Sequence, residues 1–276
     1  MTNPVFNNSA VFGDPRARGN RRPQQGAPTG TLGGATGPVV EASTLEQMYG
    51  APSATTRDTG RLTYDDVIVK TGGLLAVLVV AAAATWMVAP GLWIAGALVG
   101  LVLGLVNAFK RNPSPVLITL YAVAQGVFLG GISAFYEARW DGIVGQAVLA
   151  TLSVFAVALV LFRSGKVRVT PKFQRAVLIG LVGYLVYSLL NVVLMLVGVG
   201  GGDYGPLRSG WIGVVVGLVA VGLAAASLIM DFDSIKRGVE QGAPAKFAWS
   251  AAFGLLVTLV WLYLELLRLL SILRGD

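Results

Sequence analysis

The amino-acid sequence predicts an all-α fold, a polytopic membrane bundle of seven transmembrane helices preceded by a disordered N-terminal tail. Of the 276 residues, 55% are hydrophobic and only 13% are charged, and the mean hydropathy is +0.71. In soluble domains about a quarter of the residues are charged. The apolar residues also gather into seven segments, each close to the length of about 20 residues that crosses a bilayer as a helix.

The first 61 residues contain no such segment. They are rich in Gly, Pro, Ser, Thr, Asn and Gln and show no apolar periodicity, so they cannot bury enough apolar surface to fold alone. Arg21 and Arg22 resemble a twin-arginine signal, but no apolar region follows them closely. We therefore predict a disordered cytoplasmic tail at 1–61 and a seven-helix transmembrane domain at 62–276.

A short amphipathic helix is predicted at 61–70, with Thr63 as its N-cap. The seven predicted spans follow at 71–89, 91–109, 116–135, 143–162, 176–199, 211–230 and 247–273. Three spans carry glycines four residues apart, the spacing at which membrane helices approach closely. These glycines are Gly96, Gly100 and Gly104, then Gly126 and Gly130, then Gly213 and Gly217. The pattern favours packing within one monomeric bundle over a dimer interface.

Lysine and arginine are distributed unevenly among the loops, and an excess of them marks the cytoplasmic side. They cluster in the tail and in the loops after the second, fourth and sixth spans, whereas the opposite loops contain only Arg139 and Arg208. We therefore expect the N-terminus in the cytoplasm and the C-terminus outside. The net charge of +7 follows from this topology, and no aromatic-interleaved basic patch points to nucleic acid.

Composition and motifs also exclude several function classes. The chain has no cysteine and no histidine, which excludes disulfides, thiol catalysis and an imidazole pH sensor. It contains no nucleophile motif and no metal-ligand spacing. We therefore predict that the protein is not an enzyme and holds no cofactor. A proton-coupled transporter would be favoured by inverted repeats, and none is evident in the sequence.

Asp231 is the strongest candidate for a functional residue. It follows directly on the apolar run 211–230, where an ionisable group is costly unless it is paired, hydrated or used. Lys110 ends the second span on the same predicted side and is the expected partner. Asp233 lies two residues further along and points to a different helix face, so we expect it to be hydrated.

Two polar residues of the last span differ in depth. Thr258 lies about 16 Å from the start of that span, near the depth of Asp231, because each helical residue rises about 1.5 Å. Glu265 lies roughly 27 Å along, near the outer interface and too far to pair with Asp231. Arg268 follows Glu265 at i,i+3, so a local ion pair is expected.

Three runs of residues carry a family resemblance. They are YAVAQGVFLGGIS at 121–133, Met230 and Asp231 followed by Ile235 and Lys236, and LYLELLR at 262–268. In their order and spacing along seven spans they are similar to the Bax inhibitor-1 family, over about 64–275. The resemblance implies a bacterial cytoplasmic membrane protein. It also implies a pH-sensitive calcium leak through a bundle with a central seventh helix.

In that family, the resemblance implies a latch of two buried aspartates, on the sixth and seventh spans, and an arginine on the second. Asp231 matches the sixth-span aspartate, and Lys110 stands where the second-span cation is expected. Thr258 stands in place of the seventh-span aspartate, and Gln125 stands where many members have Glu. With one carboxylate missing, the shared-proton coupling of a dyad would be lost, which leaves gating by pH near neutrality open.

Two hypotheses of function follow. In the first, the bundle is a cation leak channel that opens when Asp231 releases Lys110 and offers its carboxylate to a permeating Ca²⁺. The candidate gating or ion-binding residues are Asp231, Lys110, Asp233, Thr258 and Glu265, with Asp231 as the metal ligand. In the second, the bundle does not conduct and regulates a membrane-anchored protease or another membrane protein, an activity that the resemblance also implies.

Overall fold

The structure, a computed structural model, describes residues 60–199 and 204–275. In these residues seven helices are long and apolar enough to cross a membrane, and no strand is present. They are α1 Tyr64–Val88, α2 Trp93–Phe109, α3 Pro115–Arg139, α4 Ile143–Arg163, α5 Pro171–Leu196, α6 Gly210–Glu240 and α7 Ala248–Gly275. The predicted fold class is thereby confirmed. Disorder was predicted for the tail at 1–61. Residues 1–59 of this tail lie outside the described part of the chain.

Helix boundaries differ from the prediction where polar residues continue an apolar helix. The amphipathic segment before the first span is not a separate helix, because α1 is continuous from Tyr64. Thr63 does cap it, accepting a hydrogen bond from the Asp66 backbone N–H at 3.1 Å. At the other end of the chain, α6 runs on to Glu240, so its last turns extend beyond the apolar run.

The seventh helix is the centre of the bundle. In its most apolar stretch 78% of the residues are buried by protein, compared with 11% for α2 and for α5. It packs against α1, α3, α4 and α6, whereas α2 packs chiefly on α3 and α5 chiefly on α6. This arrangement agrees with the central seventh helix expected from the resemblance. It also places the polar residues of α7 inside protein rather than against lipid.

Glycines bring the backbones of three helices together. A Cβ at Gly126 of α3 would lie 2.5 Å from the Leu78 carbonyl oxygen of α1. A Cβ at Gly96 of α2 would lie 2.6 Å from the Phe128 backbone nitrogen of α3. Only glycine permits both approaches, because any side chain would have to displace backbone. Glycines of the predicted GxxxG spacing therefore serve packing inside the bundle.

The segment before α1 is tied to the loop between α6 and α7. The Leu62 N–H donates to the Ala243 carbonyl at 2.7 Å, and the Ala245 N–H donates to the Gly60 carbonyl at 2.8 Å. The Leu62 side chain is buried, with 4% of its surface exposed. The start of the described chain is thus fixed beside the end of the bundle that contains Asp231.

Candidate functional site at the contact of α6 and α7

Asp231 lies within α6 and faces α7. Thr258 of α7 is buried, and its hydroxyl donates a hydrogen bond to Asp231 Oδ2 at 2.9 Å. The predicted similarity in depth of these two residues is therefore confirmed. The end of the apolar run had indicated a carboxylate at a helix end. Because α6 continues to Glu240, Asp231 does not lie at a helix end. The contact is a direct hydrogen bond between α6 and the central helix, α7.

A cavity of about 460 Å³ opens beside Asp231 at this end of the bundle. Besides the aspartate, its lining includes Ser234, Ser250 and Leu62. Gly254 leaves room next to the carboxylate, since a Cβ there would lie 3.8 Å from Asp231 Oδ1. The carboxylate is half-buried. It thus combines a hydrogen bond to α7 with a place on the wall of an open cavity.

Lys110 and Asp233 lie apart from this contact. Lys110 is the exposed C-cap of α2. Among the described residues it forms no ion pair with Asp231. Asp233 instead lies 2.9 Å from Arg237, one turn further along α6. The predicted latch between Asp231 and Lys110 is therefore absent from this structure. The helix that carries Lys110, α2, packs on α3, and the Asp231 carboxylate is hydrogen-bonded to the Thr258 hydroxyl of α7.

A second polar cluster surrounds Glu265, further along α7. Arg208, just before α6, donates to Glu265 Oε1 at 2.7 Å, and Arg268 donates to Oε2. The Tyr184 hydroxyl of α5 also donates to Glu265. The predicted pair of Glu265 with Arg268 is confirmed. It is not a surface pair, however, because only 5% of Glu265 and 7% of Arg268 are exposed.

Among the described residues, the ion pairs of Glu265 carry more positive than negative charge. Two guanidinium groups face one carboxylate, which leaves a net charge of +1 in the ion pairs of Glu265. Three guanidinium nitrogens are buried without a hydrogen-bond partner in the described part of the chain, Nε of Arg208 and both Nε and Nη1 of Arg268. Each unpaired buried donor costs about 1–3 kcal/mol. Glu265 thus compensates the charges of the buried Arg268 and the half-buried Arg208.

Apolar side chains separate the two polar clusters. Ala224 and Leu228 of α6 and Leu262 of α7 are fully buried and belong to one packed cluster. Along α6 the first two precede Asp231, and along α7 Leu262 lies between Thr258 and Glu265. Close-packed apolar side chains therefore lie between Asp231 and Glu265. Along this line the bundle is closed.

Arg208 and Tyr184 were not predicted to belong to a site. The two residues lie 57 and 81 positions from Glu265 along the chain, so no local spacing connects them with it. One signal was present in the sequence, because Arg208 is one of two basic residues in the loops of the predicted outer side. This signal alone does not identify the partner, because Arg139 shares it and is exposed.

A family model described as Bax inhibitor 1 like matches residues 3–275. The chain belongs to the Bax inhibitor 1 like family. No individual curated protein matches the chain. The match begins at residue 3, so the tail falls within it, whereas the resemblance seen in the sequence was limited to about 64–275. With its seven candidate spans, this Bax inhibitor 1 like chain is a multi-pass membrane protein.

Gln125 marks a further polar position in the Bax inhibitor 1 like bundle. It lies on α3 and faces α2, where a Cβ at Gly100 would lie 2.8 Å from its Nε2. Its Oε1 is buried and has no hydrogen-bond partner among the described residues. Gln125 is therefore held between α2 and α3 and does not take part in the contact of Asp231 with Thr258.

Proposed function

We propose that this Bax inhibitor 1 like protein is a cation leak channel whose closed state is held by the hydrogen bond between Asp231 and Thr258. One observation carries the proposal: a lone carboxylate inside a transmembrane helix bonds the central helix and also lines an open cavity. A carboxylate at such a depth is retained only where it is used or compensated. Here it is placed where a cation entering the cavity would meet it.

Calcium is the proposed cargo because the cavity offers hard oxygen atoms. Asp231 contributes a carboxylate and Ser234 and Ser250 contribute hydroxyls to its lining, and the Thr258 hydroxyl is bonded to Asp231 beside it. Within residues 60–199 and 204–275 no group of three or more His, Cys, Asp or Glu is placed to hold a metal. A site with one carboxylate binds Ca²⁺ weakly, and weak binding suits permeation, which requires that the ion also leaves.

Opening requires that α6 and α7 separate at Asp231. Loss of the bond to Thr258 frees the carboxylate, and displacement of Leu228 and Leu262 would then remove the apolar barrier beyond it. In this proposal Thr258 performs the closing role that the sequence had assigned to Lys110. In this proposal Lys110 acts in the open state alone, where the end of α2 would have to approach α6.

Calcium flux into liposomes tests the proposal. The full chain is reconstituted, and flux is measured across a pH series for wild type, Asp231→Asn, Thr258→Val and Asp233→Asn. Thr258→Val is expected to raise the leak roughly 5- to 30-fold, because a hydrogen bond to a charged group contributes about 1–2 kcal/mol to the closed state. Asp231→Asn is expected to change both the rate and its pH dependence.

Asp233→Asn is the matched control, since it makes the same chemical change two residues away in a carboxylate that faces Arg237. It should leave the flux within twofold of wild type. Flux no greater than that of empty liposomes for every variant would overturn the channel proposal. That result would favour the alternative, a non-conducting regulator of a membrane-anchored protease or other membrane protein.

A further inference from the structure

An apolar groove of about 350 Å³ lies between α1 and α4. Ile68 and Gly72 of α1 form one wall, and Leu159 and Phe162 of α4 form the other. Phe232 and Ile235 of α6 form part of its floor. The groove is distinct from the cavity of Asp231, although Ile235 borders both. It is therefore a second recess near the same end of the bundle.

The rim of the groove faces outward from the bundle. Ile68 is 66% exposed and Leu159 is 42% exposed, and both lie in helices that span the membrane. In a bilayer such surfaces contact lipid chains. A peptide in this groove would leave its backbone N–H and C=O groups without partners, which is costly at membrane depth. An acyl chain carries no such groups and suits the lining.

Basic residues gather where α4 ends beside the groove. Arg163 follows Phe162, and Lys166 and Arg168 come shortly after it. All three are exposed, and none has an ion-pair partner among the described residues. The alternate residues Val167 and Val169 pack against the cluster that contains Phe232 and Ile235. This packing holds the basic segment at the end of the groove.

We propose that the groove binds one acyl chain of an anionic phospholipid, whose phosphate is held by Arg163, Lys166 and Arg168. The apolar lining accounts for the chain, and the unpaired cations at one end account for the headgroup. A phosphate at the bilayer surface attracts each nearby lysine or arginine appreciably. The proposal does not depend on ion conduction, so it stands or fails separately from the leak.

Native mass spectrometry of the full chain in detergent tests the groove, with palmitoyl-oleoyl phosphatidylglycerol and the matching phosphatidylcholine as probes. The decisive variants are Gly72→Leu and Gly73→Leu. Both glycines are exposed and a Cβ at either meets nothing within 4 Å, but only Gly72 lines the groove. Both changes also improve helix propensity equally. They differ only in whether the new side chain fills the groove.

Wild type and Gly73→Leu are expected to retain one phosphatidylglycerol, and Gly72→Leu is expected to bind it at least about tenfold more weakly. Equal retention by Gly72→Leu and wild type would overturn the assignment of the groove. A dimer that Gly72→Leu dissociates would overturn it as well, because the groove would then belong to a second copy of the chain.

The headgroup is tested by Lys166→Gln/Arg168→Gln. This variant should bind phosphatidylglycerol about tenfold more weakly and should weaken phosphatidylcholine binding less, because the choline cation offsets the phosphate charge. Lys110→Gln/Arg111→Gln removes the same charge at the end of α2, away from the groove. It should leave the binding of phosphatidylglycerol unchanged. Because Lys166 and Arg168 are exposed and unpaired in the described chain, this test is valid even where Gly72→Leu fails to fold. Equal effects of the two double variants would overturn the role of the basic segment.

Discussion

Replacing Glu265 by glutamine is expected to destabilise the bundle strongly. The ion pairs of Glu265 with Arg208 and Arg268 sum to a net charge of +1, and loss of the carboxylate would raise it to +2. Glu265 and Arg268 are more than nine-tenths buried and only 17% of the Arg208 side chain is exposed, so solvent screens the two guanidinium groups weakly. Breaking such a buried pair costs about 3–5 kcal/mol.

Thermal unfolding followed by tryptophan fluorescence measures the effect in purified protein. At about 2–4 °C per kcal/mol for a chain of this size, the expected loss in Tm is about 6–20 °C. Glu240→Gln is the matched control, because Glu240 makes the same kind of pair with Lys236 at an exposed site, which contributes about 0–1 kcal/mol. Its Tm should stay near that of wild type.

Arg208→Met tests whether the loss in Tm comes from charge imbalance or from the loss of a contact as such. It removes the surplus cation and leaves Glu265 paired with Arg268 and Tyr184. We expect it to lower Tm less than half as much as Glu265→Gln. An equal or larger loss for Arg208→Met, or a loss for Glu265→Gln no greater than that of Glu240→Gln, would refute the reasoning from buried charge.

Two further predictions concern packing and capping. Gly126→Ala should lower the free energy of unfolding by about 1–3 kcal/mol, because its Cβ would meet the Leu78 carbonyl oxygen. The same change at the exposed Gly145, whose Cβ would have no atom within 4 Å, should be neutral or stabilising. Equal Tm values for the two variants would contradict the close helix approach. Glu137→Ala should cost about 1 kcal/mol, because Glu137 accepts the Gly142 N–H at 2.7 Å before α4. An unchanged Tm would show that this cap does not contribute.

The span positions could be predicted from the sequence because hydrophobic length determines them directly. Each of the seven predicted spans overlaps one observed helix, although the ends differ by several residues, as for 176–199 and Pro171–Leu196. The Thr63 cap was also predicted, but the continuity of α1 from Tyr64 and the extension of α6 to Glu240 beyond its apolar stretch were not. Apolar composition marks where a helix crosses the membrane, whereas caps and loop contacts decide where it ends.

Within the site, the depth of a residue along its helix could be predicted from the sequence. Which helices lie next to one another could not. Counting residues from the start of the last span placed Thr258 near Asp231 correctly. The same counting could not show that α2 packs on α3, which keeps Lys110 from Asp231. Nor could it bring Arg208 to Glu265, because the order of helices around α7 is set by side-chain packing throughout the bundle.

The glycine contacts of α3 decide which helices are free to move. Where Gly126 touches the backbone of α1 and Gly96 of α2 touches the backbone of α3, no layer of side chains remains that could change rotamer and let one helix slide past the other. These three helices therefore form a rigid wall. Between α6 and α7, by contrast, leucine and other flexible side chains interdigitate. The helix separation proposed for opening is thus expected on the side of α7 where Asp231 lies.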